Sequence, residues 1–179
     1  KKDAIIASNS SFIPSSLFVE DIEGAERLCN LHYFNPAMLM KLVEIVKGEH
    51  TSDETVEALK AFVKAIGKEY ILVKKEIEGF VVNRLLRAVQ NEAFFLYDQG
   101  IASFEDIDIG AEKGLNYPMG PFRLLDLAGI DICYMNRQKT YEKTGCPEDK
   151  PPKFLEEKYK KGEFGRKSGK GWYDYSEKK

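Results

Sequence analysis

"RLCNLHYFNPAMLMKLVEIV", Arg27 to Val46, decides how the first half of this 179-residue chain folds. Residues 27–34 and 41–46 are short runs of aliphatic and aromatic side chains, and Asn35-Pro36 opens a turn between them. The stretch predicts an antiparallel hairpin. Residues of one parity share a face of a strand, so Leu42, Glu44 and Val46 lie together, with a carboxylate between two aliphatics. An unpartnered buried charge is costly, so Glu44 must be exposed, protonated or paired with a cation. A hairpin of this length brings His32, one of only two histidines, within reach of it. Such a pair fixes the imidazole tautomer and raises the basicity of the outward nitrogen, as a general base acting on an alcohol requires. The plainer reading stays open: His32 caps the turn through a backbone hydrogen bond, and Glu44 is an edge-strand charge.

Outward from the hairpin, "DAIIAS" at 3–8 and "YILVKK" at 70–75 read as further strands. Between hairpin and last strand, "TSDETVEALKAFVKAIG" has Thr51 or Ser52 as N-cap, acids in its first turn, apolar residues at helical spacing, and Gly67 as terminator. After about residue 76 strand signals stop, and a boundary is expected at 76–79. "GFVVNRLLRAVQNEAFFLYDQG" is apolar on nearly every side, which predicts a largely buried central helix ending at Gly100. A second helix starts at Ser103, with Asp106 three residues on. "GLNYPMGPF" breaks the pattern before an apolar helix from Phe122, and a charged helix spans about 152–161. The expected architecture is an α/β part over residues 1–77, followed by an all-α part over 78–179.

Composition narrows the function classes. Charged residues make up 31% and hydrophobic ones 43%, with a formal net charge of −2, so disorder and a general polyanion-binding surface are not indicated. Nucleic acid is not an expected partner. Cys29, Cys133 and Cys146 are odd in number with no CxxC pair, which points to reduced thiols and no structural zinc. No apolar run approaches the roughly 18 residues that span a bilayer, and "KKD" has too short an apolar follower for a signal peptide, so a soluble cytoplasmic protein without membrane contact is expected. The mixed charges of 156–170 read as a solvated face, and "GRKSGKG" misses the GxxxxGK[ST] spacing of a phosphate loop.

Two further clusters could carry chemistry. "SNSS" at 8–11 follows the first strand, where open α/β sheets bind ligands, although turn residues need no function. Asn83 and Arg84 fall in the first turns of an otherwise apolar helix, and an amide there needs partners.

"SNSS", "HYFNP" with "MKLVEIV", "GFVVNRLL", "YPMGPF" and "GRKSGKGWYDY", in this order, resemble the (3S)-3-hydroxyacyl-CoA dehydrogenases, especially the short-chain bacterial 3-hydroxybutyryl-CoA type. The resemblance covers essentially the whole chain and is weakest between Cys133 and Pro152. It implies reversible, NAD- or NADP-dependent oxidation of a 3-hydroxyacyl-CoA to the 3-ketoacyl-CoA. By the same resemblance His32 is the catalytic base, Glu44 its carboxylate partner, and Ser11 a hydrogen-bond donor to the reacting oxygen. Asn83 would meet the substrate near its thioester, and Asn9, Ser11, Asn35 and Lys167 would lie on the cofactor side. A homodimer through the helical domain is implied too.

The chain departs from the family pattern in several places. Glu78-Gly79 stands where the family has Pro-Gly, which leaves the start of the central helix less rigid. "SNSSFIPSS" replaces the family's "SNTSS" followed by Leu, which puts the local turn in question. There is no GxGxxG, the turn that cradles a pyrophosphate at a helix N-terminus. The expectation is therefore a fragment: an α/β remnant holding the last strands of a Rossmann-type domain, lacking most of the NAD-binding domain, followed by an all-α C-terminal domain. Alone it would be inactive, with "DAIIAS" an apolar edge for a second chain to cover. Two alternatives remain, a sugar-acid dehydrogenase of the L-gulonate type and a non-catalytic helical dimerisation module.

Overall fold

The structure is a computed structural model that describes residues 1 and 3–176, and the chain divides into two compact units, Lys1–Arg87 and Ala88–Lys179. In the first, the described residues form a four-stranded sheet in the order β1 (Ile6–Ser8), β2 (Leu28–Tyr33), β3 (Leu42–Val46), β4 (Glu69–Val73). β1 runs parallel to β2, β2 antiparallel to β3, and β3 parallel to β4. The predicted hairpin is thus the centre of the sheet, with His32 directly opposite Glu44.

That position excludes the edge-strand reading of Glu44, because β3 has a hydrogen-bonded neighbour on each side. Cys29, Leu31, Val43 and Ile45 form a core with Leu59 and Val63 of α1 (Asp53–Ala65). Val46 packs with Val73 and Phe80 in a separate cluster. Ser52 is the N-cap of α1, its hydroxyl accepting from Thr55 N at 3.1 Å. Thr51 donates to the Leu28 carbonyl at 2.7 Å and anchors the same helix to β2. The hairpin loop is closed by Lys68, whose ammonium donates to the carbonyls of Ala37 and Met40 at 2.7 Å each. β1 is an edge strand, and Ile5 and Ile6 beside its free side are exposed.

α2 (Val82–Asp98) begins in the first unit and leads into the second. The expectation of a largely buried helix is corrected: of its residues Ala93 and Phe94 are buried, while Leu85 and Phe95 are 63% and 54% exposed. The apolar pattern exceeds what this chain alone covers. The second unit continues with α3 (Phe104–Ile109), a π turn at Gly110–Gly114, α4 (Pro121–Ala128), α5 (Ile130–Thr144) and α6 (Lys153–Lys160). Ser103 caps α3 by accepting from Asp106 N at 3.1 Å. The helix expected from Phe122 onward is two helices, because Gly129 at φ 110° breaks it between α4 and α5. Phe94, Phe122, Leu125, Ile130, Leu155 and Trp172 make this unit's core.

Beyond the charged stretch 156–170, the C-terminal segment docks on the second unit. Buried Asp126 accepts from Trp172 N and Tyr173 N at 2.9 Å each and from the Tyr175 hydroxyl at 3.1 Å, which draws "GWYDY" onto the helices.

Candidate active site

Strand pairing delivers the chemistry. His32 and Glu44 are 3% and 0% exposed, and His32 Nδ1 lies 2.7 Å from Glu44 Oε2. An ionised carboxylate can only accept, so Nδ1 carries the proton and Nε2 keeps its lone pair when the ring is neutral. The second Glu44 oxygen, Oε1, accepts from the backbone amides of Val81 and Val82 at 3.0 Å each. These amides stand at the start of α2, where unpaired N–H groups and the helix dipole favour negative charge. Burial pushes the Glu44 carboxyl up, but the hydrogen bonds from His32, Val82 and Val81 outweigh it and hold the group below its ordinary 4.5. Glu44 therefore stays ionised beside the imidazole.

The turn before α2 makes this possible. Gly79 and Phe80 both have positive φ, 77° and 50°, which swings the next two amides toward β3. Phe80 is fully buried, and its ring centroid lies 5.6 Å from that of His32, with Phe34 at 4.6 Å on the same imidazole. The start of α2, expected to be loose without the family's proline, is held by Glu44. None of this was legible beforehand, since a backbone amide has no signature in the residue alphabet.

The remaining predicted residues fall into four places. Asn83 donates from Nδ2 to the Ser11 carbonyl at 2.9 Å, so these two are brought together. Asn9 accepts from Tyr33 N at 3.0 Å, next to the strand end that carries His32. Asn35 is exposed just beyond β2, at a cis Asn35-Pro36 bond. Lys167 belongs to the second unit, where it pairs with Asp131 at 2.6 Å. The "SNSS" turn closes on its own hydroxyls: Ser8 accepts from Ser10 N at 3.2 Å and Ser10 from Ile13 N at 2.9 Å. A cavity of about 450 Å³ in the second unit, lined by Phe94, Phe95 and Phe154 among others, contains none of the predicted residues.

With Asn9 Oδ1 engaged by Tyr33, its Nδ2 is the donor left for a ligand, and Asn35 offers both amide functions. Among the described residues no group of three or more His, Cys, Asp or Glu side chains could hold a metal, and no helix is long and apolar enough to cross a membrane.

Comparison with known proteins adds the family. The profile described as "3-hydroxyacyl-CoA dehydrogenase, NAD binding domain" matches residues 1–77, and "3-hydroxyacyl-CoA dehydrogenase, C-terminal domain" matches 79–175. A 3-hydroxybutyryl-CoA dehydrogenase of Bradyrhizobium diazoefficiens is 36% identical over 98% of this chain and 59% of its own length. The mitochondrial hydroxyacyl-coenzyme A dehydrogenase of Homo sapiens is 40% identical over 96% and 54%. The crystal structure of (S)-3-hydroxybutyryl-CoA dehydrogenase from Ralstonia eutropha superposes with a TM-score of 0.86 at 39% identity, covering 99% of this chain and 62% of that one. The expectation that most of the NAD-binding domain is lacking is overturned by the match over residues 1–77. The chain spans between 54% and 63% of the length of the curated relatives it matches. With both domain profiles matched in order along its length and the buried His32–Glu44 pair in the first of them, the chain belongs to the 3-hydroxyacyl-CoA dehydrogenase family.

Proposed function

We propose that the protein catalyses the reversible oxidation of (S)-3-hydroxyacyl-CoA, with 3-hydroxybutyryl-CoA the favoured substrate, to the 3-ketoacyl-CoA. The observation that carries this reading is the 2.7 Å bond between His32 Nδ1 and Glu44, whose other oxygen is held by two amides. Nε2 of His32 takes the hydroxyl proton, and Glu44 stabilises the imidazolium that forms without itself becoming protonated. In the reductive direction the same imidazolium returns the proton to the carbonyl oxygen. When bound, NAD or NADP supplies the acceptor for the hydride that leaves C3.

In this reading Ser11 donates its hydroxyl to the reacting oxygen, and Asn83 meets the substrate near its thioester while holding the Ser11 turn. Asn9, Ser11 and Asn35 serve the nicotinamide side. Residues 1–77 serve the nucleotide side, and residues 78–179 the substrate and dimer side. Exposed Phe95, Leu127, Ile132 and Met135 support a homodimer through the helices.

The test is acetoacetyl-CoA reduction followed by NADH or NADPH absorbance. Turnover is expected, and His32→Gln should lower kcat by about 10²–10⁴-fold with the fold retained. Undiminished turnover in that variant would remove His32 from the chemistry, and no turnover in the parent would remove the dehydrogenase assignment.

A further inference from the structure

The chain's second histidine lies in a polar cluster that the mechanism above does not use. Ser15 is fully buried, donates its hydroxyl to Glu76 Oε1 at 2.6 Å, and lies 3.2 Å from His50 Nε2. Serine, histidine and glutamate together suggest a hydrolytic triad, but the proton order is wrong for one. The single Ser15 proton points at the carboxylate, so His50 can only donate to that oxygen, and the serine has no base and no access to solvent. The cluster is an anchor.

What it anchors is the segment 8–16, which is hydrogen-bonded along most of its length. Asn9 holds Tyr33 N, Asn83 holds the Ser11 carbonyl, and Gly79 N reaches the Phe12 carbonyl at 3.4 Å. Asn30 of β2 clasps the segment at two points, donating to the Ile13 carbonyl at 3.1 Å and accepting from Ser15 N at 2.8 Å. Glu76 Oε1 closes the end by accepting from the Ser15 hydroxyl and, at 3.2 Å, from Ser16 N. Burial pushes the Glu76 carboxyl up, yet the Ser15 and Ser16 bonds and the nearby His50 leave it below 4.5, which keeps it a charged acceptor.

The partners on the other side are concentrated in one stretch, "EIEGFVVN" at 76–83. Its Glu76, Gly79 and Asn83 hold the strap that carries Ser11, and its Val81 and Val82 amides hold Glu44. We propose that Glu76 is a positioning residue for the dehydrogenase site: by anchoring Ser15 and Ser16 it fixes the strap on which Ser11 stands, and so sets Ser11 relative to the His32–Glu44 pair. This rests on the dehydrogenase reading above. Small displacements of a group that binds the reacting atoms are expensive in rate, so the anchor matters although it touches no substrate.

The experiment compares Glu76→Ala, Ser15→Ala and the double variant with the parent protein, in two readouts. In steady-state reduction of acetoacetyl-CoA, Glu76→Ala should lose about tenfold or more in kcat/KM, while the pH midpoint of kcat/KM stays where it is. Ser15→Ala should reproduce much of the loss, and the double variant should be no worse than Glu76→Ala, because the Ser15 hydroxyl bond is one of the two that Glu76 accepts. In amide hydrogen exchange, Phe12, Ile13, Ser15 and Ser16 should exchange about tenfold faster in Glu76→Ala and the residues of β3 unchanged. Full kcat/KM, additive losses, a shifted pH midpoint or unaltered exchange in the strap would each overturn the proposal. Should Glu76→Ala not fold, Ser15→Ala carries both readouts alone. A parent without turnover would fell the dehydrogenase reading, and the exchange rates would still decide whether Glu76 anchors the strap.

Discussion

At the scale of single residues, Glu44 combines full burial with acceptor bonds on both oxygens, so an uncharged amide in its place keeps one acceptor oxygen and leaves either His32 or the Val81 and Val82 amides facing a donor. Glu44→Gln is expected to destabilise the first unit by roughly 3–5 kcal/mol, as breaking a buried pair does, and to lower kcat about 10²-fold or more. Thermal melts and acetoacetyl-CoA turnover check the two effects separately. Cys29 is a second residue whose behaviour follows from its site. Burial first, then the charge of Glu76, pushes its thiol up to about 12, so it has almost no thiolate at neutral pH. Mass spectrometry after brief treatment of the folded protein with iodoacetamide should therefore find Cys29 unmodified. Modification of Cys29 at the rate of a free thiol would mean the sheet interior is open.

Among the elements, the hairpin was fully legible and the α2 region was not. Short runs of aliphatic and aromatic residues and an Asn-Pro turn specify β2 and β3, and side-chain parity then places His32 against Glu44. The positive φ of Phe80, the fastening of α2 to Glu44 and the Ser15–Glu76–Asn30 network depend on contacts between segments far apart in the chain. "SNSSFIPSS" reads as a turn in the sequence, and only the folded chain shows which hydroxyls bond within it and which reach across to Glu76. In the second unit Asp126 joins α4 to the C-terminal segment. Asp126→Ala is expected to cost about 2–5 kcal/mol by leaving the buried amides of Trp172 and Tyr173 unpaired. Because Trp172 is the chain's one tryptophan, loss of the joint should also shift its emission to the red, and an unchanged spectrum with an unchanged melting temperature would show that the segment docks without it.

For the whole molecule, the two units should answer acid differently. Glu44 and Glu76 have folded values held below 4.5, so their stabilisation is present above that value and is lost as pH falls through the lowered folded values. Asp108, in the second unit, is raised above 3.8, mainly by burial against its hydrogen bonds from Phe122, Tyr173 and Arg123. Its contribution is full below 3.8 and declines as pH rises through its folded value. Of the lowered carboxylates of the second unit, Glu156 and Asp174 are held by Lys160 and by Ser176 where solvent screens them, while Glu163 is half-buried between Lys158 and Lys170. Acidification is therefore expected to open β3 to amide exchange while Trp172 keeps its native emission, and simultaneous loss of both signals would show a single cooperative transition. The proposed dimer is checked at this scale too: Ile132→Glu with Met135→Glu should yield monomers in sedimentation, and an unchanged sedimentation coefficient would remove that helix face from the interface. The sequence by itself determined the strands and the helix of the first unit, the hairpin, the cap at Ser103 and a choice of Thr51 or Ser52 for α1, and that His32 and Glu44 could meet, because these depend on neighbours within a few residues or on strand parity. Only the tertiary structure decided that α2 leaves much of its apolar surface exposed, that Gly129 splits the fourth helix from the fifth, and that Lys167 pairs with Asp131. It also decided that Glu44 is held by Val81 and Val82 and the Ser11 strap by Glu76, since hydrogen bonds to backbone groups and burial between distant segments arise only when the chain closes on itself.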